Sequence, residues 1–172
     1  MMYAANALDR ASYWLARVTS GVVVIAAFGF CLALLLQVAF RYVLNAPLSW
    51  SEELATLMFV WATVLAASVA VRHGNHLRLT IIEAVLGPRA ALWCGCLCQA
   101  LMGGFGVFLV IDGWRLANLV WTNTSAAIGY PMWCLYLSVP VSGFLMALHS
   151  LVLLTKAVST NGAVHPIAGD TL

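Results

Sequence analysis

The sequence predicts an all-α integral membrane protein with four transmembrane helices and a short interfacial helix between the second and the third. Hydrophobic residues make up 63% of the 172 residues and charged residues only 8%, whereas about a quarter of the residues in a typical globular domain are charged. Four apolar runs are long enough for a helix of about 20 residues to cross a bilayer. All charged residues lie between or beyond these runs.

The elements follow from the apolar runs and from the segments between them. The segment 77–86 is too short to span, and its apolar residues share one helical face, which predicts the interfacial helix. Residues 155–172 lack apolar periodicity, which predicts a disordered tail. We expect one membrane domain over residues 1–172. Its spans are predicted at about 18–40, 54–71, 90–111 and 132–154.

Lysine and arginine residues predict the orientation. Two of the eight basic residues, Arg41 and Arg115, lie on one side of the membrane, and the other six lie on the opposite side. By the positive-inside rule, both termini and the middle loop face the cytoplasm. The six cytoplasmic residues are Arg10, Arg17, Arg72, Arg78, Arg89 and Lys156.

Several function classes are excluded by what the sequence lacks. The net charge of +2 comes from scattered residues, which excludes nucleic acid as a partner. The glycines of residues 103–106 lie in an apolar span without the Lys-Ser/Thr that ends a phosphate-binding loop, so we expect no ATPase. No charged residue lies inside a span, whereas proton- or ion-coupled carriers, drug/proton antiporters included, need such groups near the midplane. We therefore expect neither an enzyme nor a chain that moves a substrate by itself.

Cysteines and glycines in the third span predict close helix packing. Cys96 points roughly 200° away from Cys94 on a helix, so these thiols do not converge with Cys98 on a metal ion. Small residues instead let another helix approach. The sequence shows no segment of the same chain that would pack against the glycines and Pro140 or bond to Gln99. We therefore expect the chain to be poorly stable alone.

The first loop, between spans one and two, is predicted to form a tight turn that leads directly into the next helix. The segment 45–47, Asn-Ala-Pro, is a turn signal, and Ser49-x-x-Glu52 matches a capping box that starts the second span. The box needs only one glutamate, so Glu53 is available to a partner. Arg41 and Tyr42 lie at the depth of Trp50, and this arrangement suits either an aromatic belt or a docking surface.

Three further expectations concern the outer ends of spans three and four. Asp112 and Arg115 are spaced to pair on one helix face. Pro131 suits the first turn of the fourth span. Pro140 should kink that span and release backbone groups that Ser138 or a neighbour can satisfy.

A set of residues in the loops and at the span ends carries a family resemblance: Arg41, Tyr42, Asn45, Pro47, Trp50, Glu52, Glu53, Trp61, Arg72, Gly74, His76, Gly129, Tyr130, Pro131, Trp133 and Pro140. With these residues the sequence resembles the small permease subunit of the tripartite ATP-independent periplasmic (TRAP) transporters, the DctQ-like family. The resemblance implies a bacterial inner-membrane complex with a large permease subunit that holds the substrate and sodium sites. It also implies a periplasmic binding protein for organic acids, often C4-dicarboxylates, with lipid around the complex and no metal or cofactor. All of the residues except Trp133 and Pro140 are interface candidates.

The alternative is a haem-bearing or quinone-associated membrane anchor of a respiratory enzyme. Such an anchor needs two axial histidines on different helices, and His73 or His76 could meet His149 near the inner face. The predicted position of His73 and His76 in a loop weakens this alternative.

Overall fold

The computed structural model describes residues 2–45, 48–73 and 88–159. Within these residues the chain is helical except at its loops and one isolated bridge, and four stretches are long and apolar enough to cross a membrane. The predicted all-α fold with four spans is thus confirmed. The predicted interfacial helix at 77–86 lies outside the described residues. The helices are α1, Met2–Val43; α2, Ser49–His73; α3, Pro88–Leu119; α4, Trp133–Tyr136; and α5, Ser138–Ser159.

The first and last helices are longer than the predicted spans. Helix α1 has 42 residues, about 63 Å at 1.5 Å per residue, which is about twice the hydrocarbon thickness of a bilayer. It therefore tilts or extends beyond the membrane, and its first half carries the exposed Arg10 and Arg17. Helix α5 continues through residues 155–159, which the sequence assigned to the disordered tail. Its apolar pattern ends earlier than its backbone helix.

The helices lie in the spatial order α1–α2–α5–α3. Helix α1 packs along α2, α2 packs against α5, and α5 packs along α3. The two outer helices of this row therefore leave long apolar faces uncovered. Ile25 on α1 is 72% exposed and Leu101 on α3 is 65% exposed, so these faces are open to lipid or to a partner protein.

Glycine residues set the close approach of α3 and α5. A Cβ atom added to Gly106 would lie 2.7 Å from the carbonyl oxygen of Gly143, and the reverse substitution meets the Gly106 carbonyl at the same distance. A Cβ atom on Gly113 would lie 2.7 Å from Cδ of Pro140. The predicted close packing exists, and the helix that approaches belongs to the same chain.

The expectation that these groups lack an internal counterpart is therefore wrong. Pro140 contacts the glycine face of α3, and the hydroxyl of Ser150 on α5 donates to the backbone carbonyl of Gln99. Small residues in a sequence show that a close approach is possible, but they do not identify the helix that makes it.

The fourth span is interrupted just before Pro140. Helix α4 ends at Tyr136 and α5 begins at Ser138, which places Pro140 in the first turn of α5, where its missing N–H group is tolerated. The hydroxyl of Ser138 donates to the carbonyl of Leu135 at 2.7 Å, as expected for a group released by the break.

Candidate functional site

The outer corner of the molecule is organised by the carboxylate of Glu53, in the second turn of α2. The hydroxyl of Ser125 donates to this carboxylate. The backbone N–H groups of Ala127 and Ile128 each donate to one of its oxygens at 2.9 Å. Glu53 thus joins the start of α2 to the loop between α3 and α4. A carboxylate that accepts several such donors holds a loop in one conformation.

The same loop, residues 120–132, is closed on itself by backbone pairing. Thr124 and Pro131 form an antiparallel bridge, and the N–H of Ser125 donates to the carbonyl of Tyr130 at 2.9 Å. Gly129 has a φ of +76°, a conformation that a residue with a Cβ atom adopts only with strain. The loop, called the outer loop below, is therefore a defined structure beside α2.

Pro131 differs from its predicted position. It lies in the bridge of the outer loop, and its carbonyl accepts the N–H of Cys134 at 3.0 Å, so it precedes the first turn of α4. Pairing with Thr124 holds it there. Next to it, burial raises the pKa of the Tyr130 phenol, and the charge of Glu53 adds to the rise.

Glu52 and Glu53 divide their roles in a way that the sequence did not predict. Helix α2 begins at Ser49 itself, so Ser49 is one position too late to act as the capping residue of a box with Glu52. The hydroxyl of Ser51 instead donates to the carbonyl of Leu48 at 2.8 Å. The side chain of Glu52 is exposed and contacts no hydrogen-bond donor among the described residues. Glu53, which the sequence left available to a partner, is bonded within the chain.

The other residues of the first loop present a polar and aromatic surface. Tyr42 is 76% exposed and Trp50 is 41% exposed, and Arg41 is exposed beside them. Asn45 has a φ of 48°, which short polar side chains tolerate, so the predicted turn begins there. Pro47 lies outside the described residues.

Three tryptophans connect this corner to the fourth span. The indole N–H of Trp61 on α2 donates to the carbonyl of Cys134 at 3.1 Å, at the short helix that precedes the break. The ring of Trp133 stacks on Trp121, with centroids 5.2 Å apart and planes 19° apart. Trp61 thus holds α4 against α2, and the stacked pair lies at the outer ends of the helices, where aromatic belts form.

At the opposite end of α2, Arg72 joins α1 to α2. Its guanidinium lies 3.2 Å from a carboxylate oxygen of Asp9 and donates to the hydroxyl of Ser12 at 2.5 Å. The guanidinium carbon also lies 5.8 Å from the ring centre of Tyr13, within cation–π range. The sequence contained no signal for this cluster, because its partners lie some 60 residues from Arg72. Gly74 and His76 lie outside the described residues.

The cluster extends to α5 through His149. Its Nδ1 atom lies 2.8 Å from the hydroxyl oxygen of Ser12. The residue is fully buried, and among the described residues Nε2 has no hydrogen-bond partner. The hydroxyl of Ser12 thus accepts a hydrogen bond from Arg72 and forms a second one with His149, whose donor is set by the imidazole tautomer. One serine therefore connects helices α1, α2 and α5.

Comparison with known proteins identifies the family of this chain. The family model described as "Tripartite ATP-independent periplasmic transporters, DctQ component" matches residues 30–160. This chain belongs to that family. The match covers α2, α3, α4 and α5 in full and the outer part of α1, which includes both the outer corner and Arg72.

Individual relatives of this DctQ component carry different substrate names. The sialic acid TRAP transporter permease protein SiaT of Haemophilus influenzae (strain 86-028NP) is 33% identical over 95 residues, 55% of this chain and 14% of SiaT. The sialic acid small permease SiaQ of Vibrio cholerae is 27% identical over 116 residues, 67% of this chain and 66% of SiaQ. The C4-dicarboxylate small permease DctQ of Rhodobacter capsulatus is 27% identical over 111 residues, 60% of this chain and 47% of DctQ.

The histidines of this DctQ component do not fit an axial haem pair. A histidine that ligates a haem is exposed to the haem site when the group is removed, whereas His149 is fully enclosed by protein. His73 contacts the carbonyl of Val69 through Nδ1 at 3.1 Å, and His76 lies outside the described residues. The enclosure of His149 is therefore the observation that disfavours the respiratory-anchor alternative.

Proposed function

We propose that this chain is the small membrane subunit of a TRAP transporter and acts by bracing a large permease chain. The length of its relative SiaT supports this proposal. The matching segment is 14% of that permease protein, so there the equivalent of this chain is continuous with a much longer permease. We expect the present chain to make the same contact without a covalent link.

The distribution of charge supports the division of labour between the two chains. Apart from Asp9, Arg10 and Arg17 in the first half of α1, the charged side chains of the described helices lie near the helix ends, at Arg41, Glu52, Arg72 and Asp112 for example. Coupled carriers instead bind ions near the midplane. The substrate and sodium sites then belong to the large permease. The spatial order α1–α2–α5–α3, a row of helices, suits a chain that packs along a neighbour as one membrane domain.

We propose that the outer corner helps to receive a periplasmic binding protein. Glu53 holds the outer loop beside the start of α2, and the exposed Tyr42 and Trp50 lie at the adjoining first loop. Aromatic and arginine side chains on a rigid surface are the residues most often found at the centre of protein interfaces. With six of eight basic residues on the opposite side, this corner faces the periplasm and both termini face the cytoplasm.

We propose an organic acid as the substrate of the complex. The names of two relatives refer to sialic acid and one to C4-dicarboxylates, which are all carboxylates. The choice among acids belongs to the binding protein and the large permease in this proposal, so the present chain does not determine it.

Co-expression with a large TRAP permease and a TRAP binding protein from the same genome tests the proposal. We expect the two membrane chains to purify together and uptake of a carboxylate to require both. The double variant Tyr42→Ala/Trp50→Ala should leave the membrane complex intact and weaken binding-protein capture. Unimpaired uptake in cells that lack this chain would contradict the bracing role, and normal capture by the double variant would contradict the docking role.

A further inference from the structure

A groove between the outer halves of α1 and α2 is left unfilled by the described residues of the chain. It has a cavity volume of about 400 Å³. Phe30, Leu34 and Gln37 of α1 line one wall at helical spacing, and Glu52, Thr56 and Phe59 of α2 line the other. Because the helices are antiparallel, the groove is apolar at its inner end and polar at its outer end.

The apolar end is partly open. The rings of Phe30 and Phe59 lie 5.3 Å apart across the two helices, but Phe59 remains 48% exposed and Leu34 39% exposed. Behind them α1 and α2 meet through small buried residues, Ala33 at 4% and Ala55 at 3% exposed. The helices are therefore close enough to hold the groove in shape, and its aromatic floor is left for another apolar surface.

The polar end holds a carboxylate without a counter-ion. Glu52 is exposed and Gln37 is half-buried, and neither side chain makes a hydrogen bond or an ion pair with the part of the chain that the structure describes. Glu53, one residue further on, has all its donors supplied by the outer loop. A polar group at the edge of a bilayer usually faces a partner that supplies a complementary group.

We infer that this groove holds a transmembrane helix of the large permease chain, with a lysine or arginine of that helix paired to Glu52. This inference rests on the proposed function and specifies the face of the chain that does the bracing. Charge favours this occupant over an anionic phospholipid, whose net negative headgroup would lie next to the carboxylate. A soluble binding protein cannot reach the apolar end. In SiaT the segment that matches this chain is part of a much longer permease. This favours the large permease over a second copy of this chain as the occupant of the groove.

Photo-crosslinking in membranes that contain the whole complex tests the inference. The photoreactive residue benzoylphenylalanine is placed at Leu34 in the groove or, as a control at similar depth, at Phe108 on the uncovered face of α3, which is 56% exposed. We expect crosslinks from position 34 to the large permease, identified by mass spectrometry, and mainly lipid adducts from position 108.

Charge reversal tests the role of Glu52. Glu52→Lys should lower the crosslinking yield at position 34 by roughly tenfold, because it places like charges together, and Glu52→Gln should lower it less. Asp112→Lys, at the outer end of α3, should leave it unchanged. Crosslinks from position 34 only to lipid or to a second copy, or a yield unaffected by Glu52→Lys, would overturn the inference.

The outcomes also separate this inference from the proposed function. Crosslinks to the large permease from position 108 and not from position 34 would move the contact to α3 and leave the bracing role standing. If the large permease neither crosslinks at any position nor purifies with this chain, both the inference and the proposed function fail.

Discussion

The carboxylate of Glu53 in α2 accepts the hydroxyl of Ser125, 72 residues further along the chain. Two backbone N–H groups of the outer loop bind the same carboxylate, and the hydroxyl oxygen of Ser125 in turn accepts the N–H of Gly129 at 3.2 Å. This connection joins the start of α2 and the outer loop into one surface, and we propose that this surface contacts the binding protein.

Replacing Glu53 should release the outer loop. In Glu53→Ala the N–H groups of Ala127 and Ile128 lose their acceptor, so their hydrogen exchange should accelerate on the order of tenfold. Glu52→Ala is the matched control, since the Glu52 side chain binds neither group. Exchange can be followed on the purified complex by mass spectrometry of peptides from residues 120–132. Equal effects of both substitutions would show that the loop is held by other contacts.

Removing the Arg72 side-chain charge should weaken the contact of α1 with α2 and α5. The Arg72 side chain is 11% exposed and that of Asp9 is 29% exposed. Arg72→Met should therefore cost about 1–3 kcal/mol, less than the loss of a fully buried pair. Unfolding of the purified protein in a denaturing detergent measures the change in free energy.

Arg115 provides the control for that experiment. The predicted pair with Asp112 is present at 3.3 Å, but the arginine side chain is 77% exposed. Arg115→Met should change the free energy of unfolding by less than about 1 kcal/mol, as is usual for exposed pairs. Comparable losses for both variants would contradict the view that Arg72 is a helix-joining residue.

Alanine at Gly106 should separate α3 from α5. The added Cβ would lie 2.7 Å from the Gly143 carbonyl and 2.8 Å from the backbone nitrogen of Ala147, and such overpacking costs about 1–3 kcal/mol. At Gly104, two residues away, an added Cβ meets nothing within 4 Å, so Gly104→Ala should be neutral or stabilise the helix by up to about 1 kcal/mol. The unfolding midpoints of the two variants test this packing. A lower midpoint for Gly104→Ala than for Gly106→Ala would contradict it.

The distribution of basic residues makes a prediction about orientation. A reporter enzyme that is active only in the periplasm should be inactive when fused after residue 159, and active when inserted in the outer loop. A cytoplasmic reporter should show the opposite pattern. Periplasmic activity of the fusion after residue 159 would invert the topology and move the outer corner to the wrong side for a periplasmic partner.

The sequence predicted the helices well because hydrophobic length is a local property. It also predicted the close packing of the third span from its glycines, and the Asp112–Arg115 pair from their spacing. It could not predict that Gly106 meets Gly143, since the choice of neighbouring helix depends on the packing of the whole chain. The bond between Glu53 and Ser125 could not be predicted for the same reason, because Ser125 lies in another loop.

The cluster around Arg72 shows the same limit more strongly. Arg72 was a candidate interface residue, but the motif around it gave no indication of Asp9, Ser12 or His149. A single serine before the first apolar run and a single histidine within the last one have no recognisable spacing. Only the arrangement of three helices brings them together.

Reconstitution into liposomes tests the central claim most directly. The chain is purified alone, the large permease alone, and the two together, and each preparation is supplied with the binding protein, a labelled carboxylate and an inward sodium gradient. We predict uptake only when both membrane chains are present and none from this chain alone. Uptake by this chain alone, or undiminished uptake by the large permease without it, would contradict the account.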